Sequence, residues 1–135
     1  MIMDQPSFID KLDEAIVEIK RKTAALRAAN DAWKSTFCEL MSYQNGGAAL
    51  EGEGRLEEAV IQYEEAVSFG RQSDDMKVNN YYHSIERLAI LYRKLKRYDD
   101  EIRIINEALS DDITECDRLK LTARLEKAIK LKEKL

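Results

Sequence analysis

GRLEEAVIQYEEAV at residues 54–67 and KRYDDEIRIINEAL at residues 96–109 follow one pattern. Each opens on a turn residue and a bulky side chain, Leu56 or Tyr98. Two acids follow, then an apolar pair, then Glu-Ala and a large aliphatic at 65–67 and 107–109. In the first stretch Leu56, Ala59, Val60, Tyr63, Ala66 and Val67 share one face at helical spacing. Tyr98, Ile102, Ile105, Ala108 and Leu109 do the same in the second. A repeat marks a unit that buries its core only against its neighbours. The pair therefore predicts antiparallel helical hairpins stacked on one another, an all-α fold.

The rest of the chain agrees. Its 135 residues include one proline and five glycines, with 44% hydrophobic and 36% charged residues, a composition that favours helix in a single domain over 1–135. Gly46-Gly47 is a dip in the helical signal, Gly52 and Gly54 frame a tight turn, and Gly70 is a candidate helix C-cap. RQSDDMK at 71–77 reads as a loop in which Ser73 or Asp74 caps the next helix. That helix runs from Met76 to about Leu95 through Val78, Tyr82, Ile85, Leu88, Ala89, Leu91 and Tyr92. A final helix spans about Ile113 to Lys132.

Upstream, Ser7 or Pro6 stands at a helix start with Asp10 and Asp13 in the first turns. Apolar residues then recur in alternating steps of three and four. One heptad set is Leu12, Ile19, Leu26, Trp33 and Leu40; the other is Ile9, Ile16, Thr23, Asn30 and Phe37. This is a coiled-coil seam weakened in its middle. Two structures satisfy it. Either one helix runs from about 7 to 44, or Asn30-Asp31 caps a second helix and residues 7–29 fold back as a hairpin.

Charge comes in blocks. Residues 50–75 carry eight acids and two bases, and 77–97 carry six bases and one acid. Residues 99–115 carry seven acids and Arg103, and 118–134 carry seven bases and two acids. In successive antiparallel helices, opposite signs would lie side by side, each exposed pair contributing about 0–1 kcal/mol. The net charge of -4 argues against nucleic acid and anionic membranes as partners.

Catalysis finds little support. The single histidine, His83, cannot build a multi-histidine metal site, and Cys38 and Cys116 form no CxxC unit, so no metal or cofactor is expected. Both cysteines read as reduced, buried hydrophobes of a cytoplasmic protein. The N-terminal MIMDQPSFIDKLDE turns acidic where a signal peptide would be basic and then apolar. Gly47 and Gly52 have the spacing of a phosphate loop's outer glycines, but Glu53 and Gly54 stand where Lys and Ser or Thr are required.

The stretch from 40 to 110 resembles two tetratricopeptide repeats. In that family's pattern Gly47 and Ala89 stand at the small position of the first helix, Leu50 and Tyr92 at its large partner, and Leu56 and Tyr98 after the turn. Ala59, Ala66 and Ala108 are the small residues of the second helix. Glu101 replaces an expected alanine, Gly46 an expected leucine, and the two turns lie 42 residues apart instead of about 34. The resemblance implies a short superhelix over 45–110, closed by a capping helix at 113–134 whose outer face carries Arg124, Lys127, Lys130 and Lys134. It also implies a non-catalytic interaction module that takes a protein or peptide segment, an acidic one among the candidates, in a groove. Met41, Gln44, Asn45 and Ala48 would line it from the first repeat, and His83, Glu86, Arg87, Ile90, Arg93 and Lys94 from the second. The heptad residues Leu12, Ile16, Ile19, Leu26, Trp33 and Phe37 support a different expectation, a structural or scaffolding homodimer.

Overall fold

The computed structural model describes residues 7–135. Among them the chain forms five helices, α1 (Phe8–Gly52), α2 (Leu56–Gln72), α3 (Val78–Lys94), α4 (Tyr98–Leu109) and α5 (Glu115–Glu133), and no strand. The fold is all-α, built of helical hairpins. By packing the chain divides into two units, one ending at Ser35 and one covering Thr36–Leu135.

The first unit is the opening two-thirds of α1. Ser7 starts it with a reciprocal cap: its hydroxyl accepts from the Asp10 N–H at 3.1 Å, and the Asp10 carboxylate accepts from the Ser7 N–H at 3.3 Å. Pro6, the other candidate for this cap, lies outside the described residues. Asn30-Asp31 does not break the helix. The fold-back alternative fails because Ala24, Ala25, Ala28, Ala29 and Ala32 surround the pair with strong helix formers. Every residue from Ser7 to Ser35 is exposed, Leu26 at 71% among them.

The second unit holds the core. Leu40, Ile85, Leu88, Leu91, Ile104 and Ile105 are fully buried, with Tyr63 and Tyr92 almost so. Burial of each such aliphatic side chain stabilises the fold by roughly 1.5–3 kcal/mol. Helix α2 packs on α3, α3 on α4, and α4 on α5. The small positions of the repeat are all closed: Ala59, Ala66, Ala89 and Ala108 have no exposed surface. Gly47 is no dip in a helix. It is buried inside α1, where a Cβ would lie 2.7 Å from the Tyr63 ring, so glycine lets the two helices approach.

The two turns repeat in detail. Gly54 and Lys96 both take the left-handed conformation, at φ 77° and 57°. In the first turn the Arg55 N–H donates to the Leu50 carbonyl at 2.9 Å, and in the second the Arg97 N–H donates to the Tyr92 carbonyl at 2.8 Å. These are the same bond, 42 residues apart, and it satisfies the same orphan carbonyl at a helix end.

Several local expectations need correction. Gly70 does not end α2, which continues to Gln72; it is glycine because a Cβ would lie 2.3 Å from the Tyr81 ring. Neither Ser73 nor Asp74 caps α3. Lys77 does, its N–H donating to the Asn80 side chain at 2.9 Å. Helix α5 starts two residues after Ile113, with the Thr114 hydroxyl accepting from the Asp117 N–H at 3.1 Å. Cys38 and Cys116 are exposed, not buried. Cys38 sits between Phe37 and Leu40, one step off the stripe that enters the core.

Candidate binding face

Helix α3 is the centre of a face with a cleft on either side. Toward α1, Ala48, Glu51, Tyr63, His83 and Arg87 line a shallow cleft of about 370 Å³. Toward α5, Tyr82, Glu86, Ile90 and Arg93 face Lys120, Leu121, Arg124 and Lys127 across a cleft of about 470 Å³. A larger cavity, about 700 Å³, lies elsewhere, between the α2–α3 and α4–α5 connections around Tyr81 and Asp111. It gathers none of the groove residues read from the sequence.

On the α1 side the charge is internally matched. Arg87 donates through Nε to Glu51 Oε1 at 3.0 Å and through a second guanidinium nitrogen to Oε2, while the Tyr63 hydroxyl donates to Glu51 Oε1 at 3.0 Å. Burial alone would raise the Glu51 carboxyl, but the Arg87 guanidinium and the Tyr63 hydroxyl outweigh it and hold it below 4.5. Burial and the adjacent carboxylate push the Tyr63 phenol up to about 12. His83 is exposed at the rim.

The α5 side rests on a buried acid. Glu101 of α4 has no exposed surface. Arg93 of α3 grips it with both arms, at 3.1 Å through Nε and 2.8 Å through Nη2, and Arg124 of α5 adds a contact at 3.2 Å. The same Arg93 nitrogen also donates to the Arg124 carbonyl at 2.9 Å. A carboxylate in the core is tolerated only when paired and hydrogen-bonded in this way. Two of the cleft's four bases are therefore held from beneath. Lys120 and Lys127 make no ion pair among the described residues. Tyr82, whose phenol burial and Asp117 push up to about 12, lines the cleft with Ile90 and the buried Leu121.

The charge blocks do interleave. Arg97 of the first basic block reaches Glu57 at 3.0 Å and Lys132 of the second reaches Asp99 at 2.5 Å, while Arg71 and Arg103, the few bases inside the acidic blocks, join α2 to α4 through Glu107 at 2.6 Å and Glu64 at 2.7 Å. These pairs stand on the flanks of the stack and leave the clefts to other residues.

Of the groove residues read from the sequence, the structure gathers Ala48, His83 and Arg87 in one cleft and Glu86, Ile90 and Arg93 in the other. Asn45 and Lys94 are exposed and line neither. Gln44 is buried, accepting from the Ser84 hydroxyl at 2.7 Å, so it belongs to the α1–α3 contact and not to a groove. Arg124 and Lys127, expected on the outer face of the last helix, face α3 instead. Sequence reasoning missed Glu51, Tyr63 and Lys120. The spacing of Lys120, Arg124 and Lys127, four and then three residues apart, is the signal that puts them on one face.

Among the described residues no cluster of three potential metal ligands occurs, and no helix is long and apolar enough to cross a membrane. Compared with known family models, curated proteins and solved structures, the chain matches none.

Proposed function

We propose that the chain is a non-catalytic protein-interaction module, similar in plan to tetratricopeptide hairpins, that takes an acidic and partly apolar protein segment into the cleft between α3 and α5. One observation carries this reading: once Glu101 has taken Arg93 and Arg124, Lys120 and Lys127, in no ion pair among the described residues, outnumber the Glu86 carboxylate of the same cleft and leave surplus positive charge beside the apolar surface of Tyr82, Ile90 and Leu121. Apolar surface supplies affinity, and surplus positive charge selects for carboxylates and speeds encounter. The α1-side cleft is a weaker ligand site, because a carboxylate arriving at Arg87 must first displace Glu51. The exposed Cys38 and Cys116 thiols fit a reducing compartment such as the cytoplasm.

The test is fluorescence anisotropy with a labelled peptide of alternating Glu and Leu, and its Lys-for-Glu counterpart. The acidic peptide should bind more tightly, and the double substitution Lys120→Glu/Lys127→Glu should weaken it by about tenfold or more, equivalent to 1.4 kcal/mol. Higher salt should weaken it too. Arg87→Glu should leave the affinity within about twofold, a few tenths of a kcal/mol. Equal binding of the two peptides, or indifference to the double substitution, would rule the reading out.

A further inference from the structure

The apolar seam of the first unit has no use in the interaction face. Ile9, Leu12, Ile16, Ile19 and Leu26 are 68%, 44%, 47%, 62% and 71% exposed along one side of a continuous helix. Their spacing averages 3.5 residues, with Ile9, Ile16, Thr23 and Asn30 in one heptad position and Leu12, Ile19 and Leu26 in the other. An isolated helix turns every 3.6 residues and gains nothing from a 3.5 repeat, whereas a helix wound on another helix keeps its seam in contact only with that repeat. From Ile9 to Asn30 the face runs about 33 Å at 1.5 Å per residue. A strip of that length on a helix roughly 10 Å across gives each chain on the order of 330 Å² of contact, the size of a weak, reversible interface that forms only at raised concentration.

We infer that this face is covered by a second copy of the chain, running antiparallel and centred near Arg21, so that the two helices form a short coiled coil. The charge distribution selects the occupant and its direction. Residues 8–18 carry four acids against Lys11, and residues 20–34 carry five bases against Asp31. Antiparallel pairing about Arg21 lays the acidic stretch 8–18 of each copy along residues 24–34 of the other, with Arg27 and Lys34 against Asp31, and sets Asp13 beside Arg27 of the second copy; Lys20, Arg21 and Lys22 meet their own copies at the centre, where Glu18 already pairs with Arg21 and Lys22 in each chain. Parallel, in-register pairing would match the Asn30 side chains with each other. It would also set Lys22 beside Arg27 of the second copy and align like charges over the whole length.

Size-exclusion chromatography with light scattering on the full chain, from low to high micromolar concentration, should give twice the 15.6 kDa chain mass, and Ile19→Asp/Leu26→Asp should return it to 15.6 kDa. Because those substitutions could also loosen the helix, thiol cross-linking supplies a second readout. In a Cys38→Ser/Cys116→Ser background, Leu12→Cys and Asn30→Cys proteins are oxidised separately and mixed. The antiparallel pair yields mixed disulfide dimers and little self-linked product. A 15.6 kDa particle at every concentration, a dimer indifferent to the seam substitutions, or a Leu12→Cys protein that links chiefly to itself would each overturn the inference.

Discussion

Matched position by position at an offset of 42, the two hairpins put Gly47 against Ala89, Glu51 against Arg93, Gly54 against Lys96 and Ala59 against Glu101. The backbone is the same in both turns, yet the charges have been exchanged. In the first hairpin a small residue fills the inner site, and its acid, Glu51, turns outward to hold Arg87 of α3. In the second, an acid fills the inner site, and position 93 has become the arginine that neutralises it. The substitution in α4 is thus matched by one in α3, and α5 adds Arg124 to complete the set. The difference teaches that an arginine facing a groove is no evidence of a ligand until its internal partner has been looked for. Only the charge left over after such pairing is available to a partner protein.

The largest effect that would break this comparison is at its inner site. Glu101→Ala should cost about 3 kcal/mol, because Arg93 and Arg124 lose the charge they were folded around, and urea or thermal unfolding should show it. Adding Arg93→Met and Arg124→Met should recover much of that loss, since an apolar replacement of a whole buried ion cluster is often neutral. A loss below about 1 kcal/mol would place Glu101 among ordinary surface pairs.

Next comes the approach of helices. Gly47→Ala should cost about 2 kcal/mol by driving a methyl group into the Tyr63 ring, whereas the second hairpin already accommodates Ala89 at the matching site. Smaller again are the turns. Gly54→Ala should destabilise by about 1 kcal/mol, and Lys96→Gly should stabilise by a similar amount, because the left-handed backbone strains any side chain with a Cβ.

Last is acid sensitivity. Glu51 and Glu107 both titrate below 4.5 in the folded chain: burial opposes this, and Arg87 with Tyr63, or Arg71 with Arg103, outweigh it. A depressed folded pKa contributes stability that is present above the unfolded value and lost as pH falls through the folded one. Stability should therefore decline below about pH 4.5, and Glu51→Gln should flatten part of that decline while leaving the curve above pH 6 unchanged in slope.

Much of this arrangement was legible in the sequence. The helical spacing of Leu56 to Val67 and of Tyr98 to Leu109 gave the hairpins, and the small positions Ala59, Ala66, Ala89 and Ala108 all lie in the core. Helix boundaries at glycines were misread, because Gly47 and Gly70 serve close approach to Tyr63 and Tyr81, and a tertiary contact leaves no local mark. The face was legible only in part. His83, Arg87, Ile90 and Arg93 reach it, but their pairing with Glu51 and Glu101 depends on which residues meet across helices 8 to 36 positions apart in sequence. Heptad spacing identified the N-terminal seam but did not decide between a continuous helix and a hairpin, since Asn30-Asp31 is compatible with both.

Surplus positive charge in the cleft between α3 and α5 is the feature proposed to draw a partner, and amide chemical-shift mapping tests it most directly. Titrating the labelled chain with the Glu-Leu peptide should move the resonances of Tyr82, Ile90, Lys120, Leu121 and Lys127 while those of Asn45, Ala48 and His83 stay in place. Shifts concentrated instead around Glu51 and Arg87, or scattered over α2 and α4 with the α3–α5 cleft silent, would contradict it.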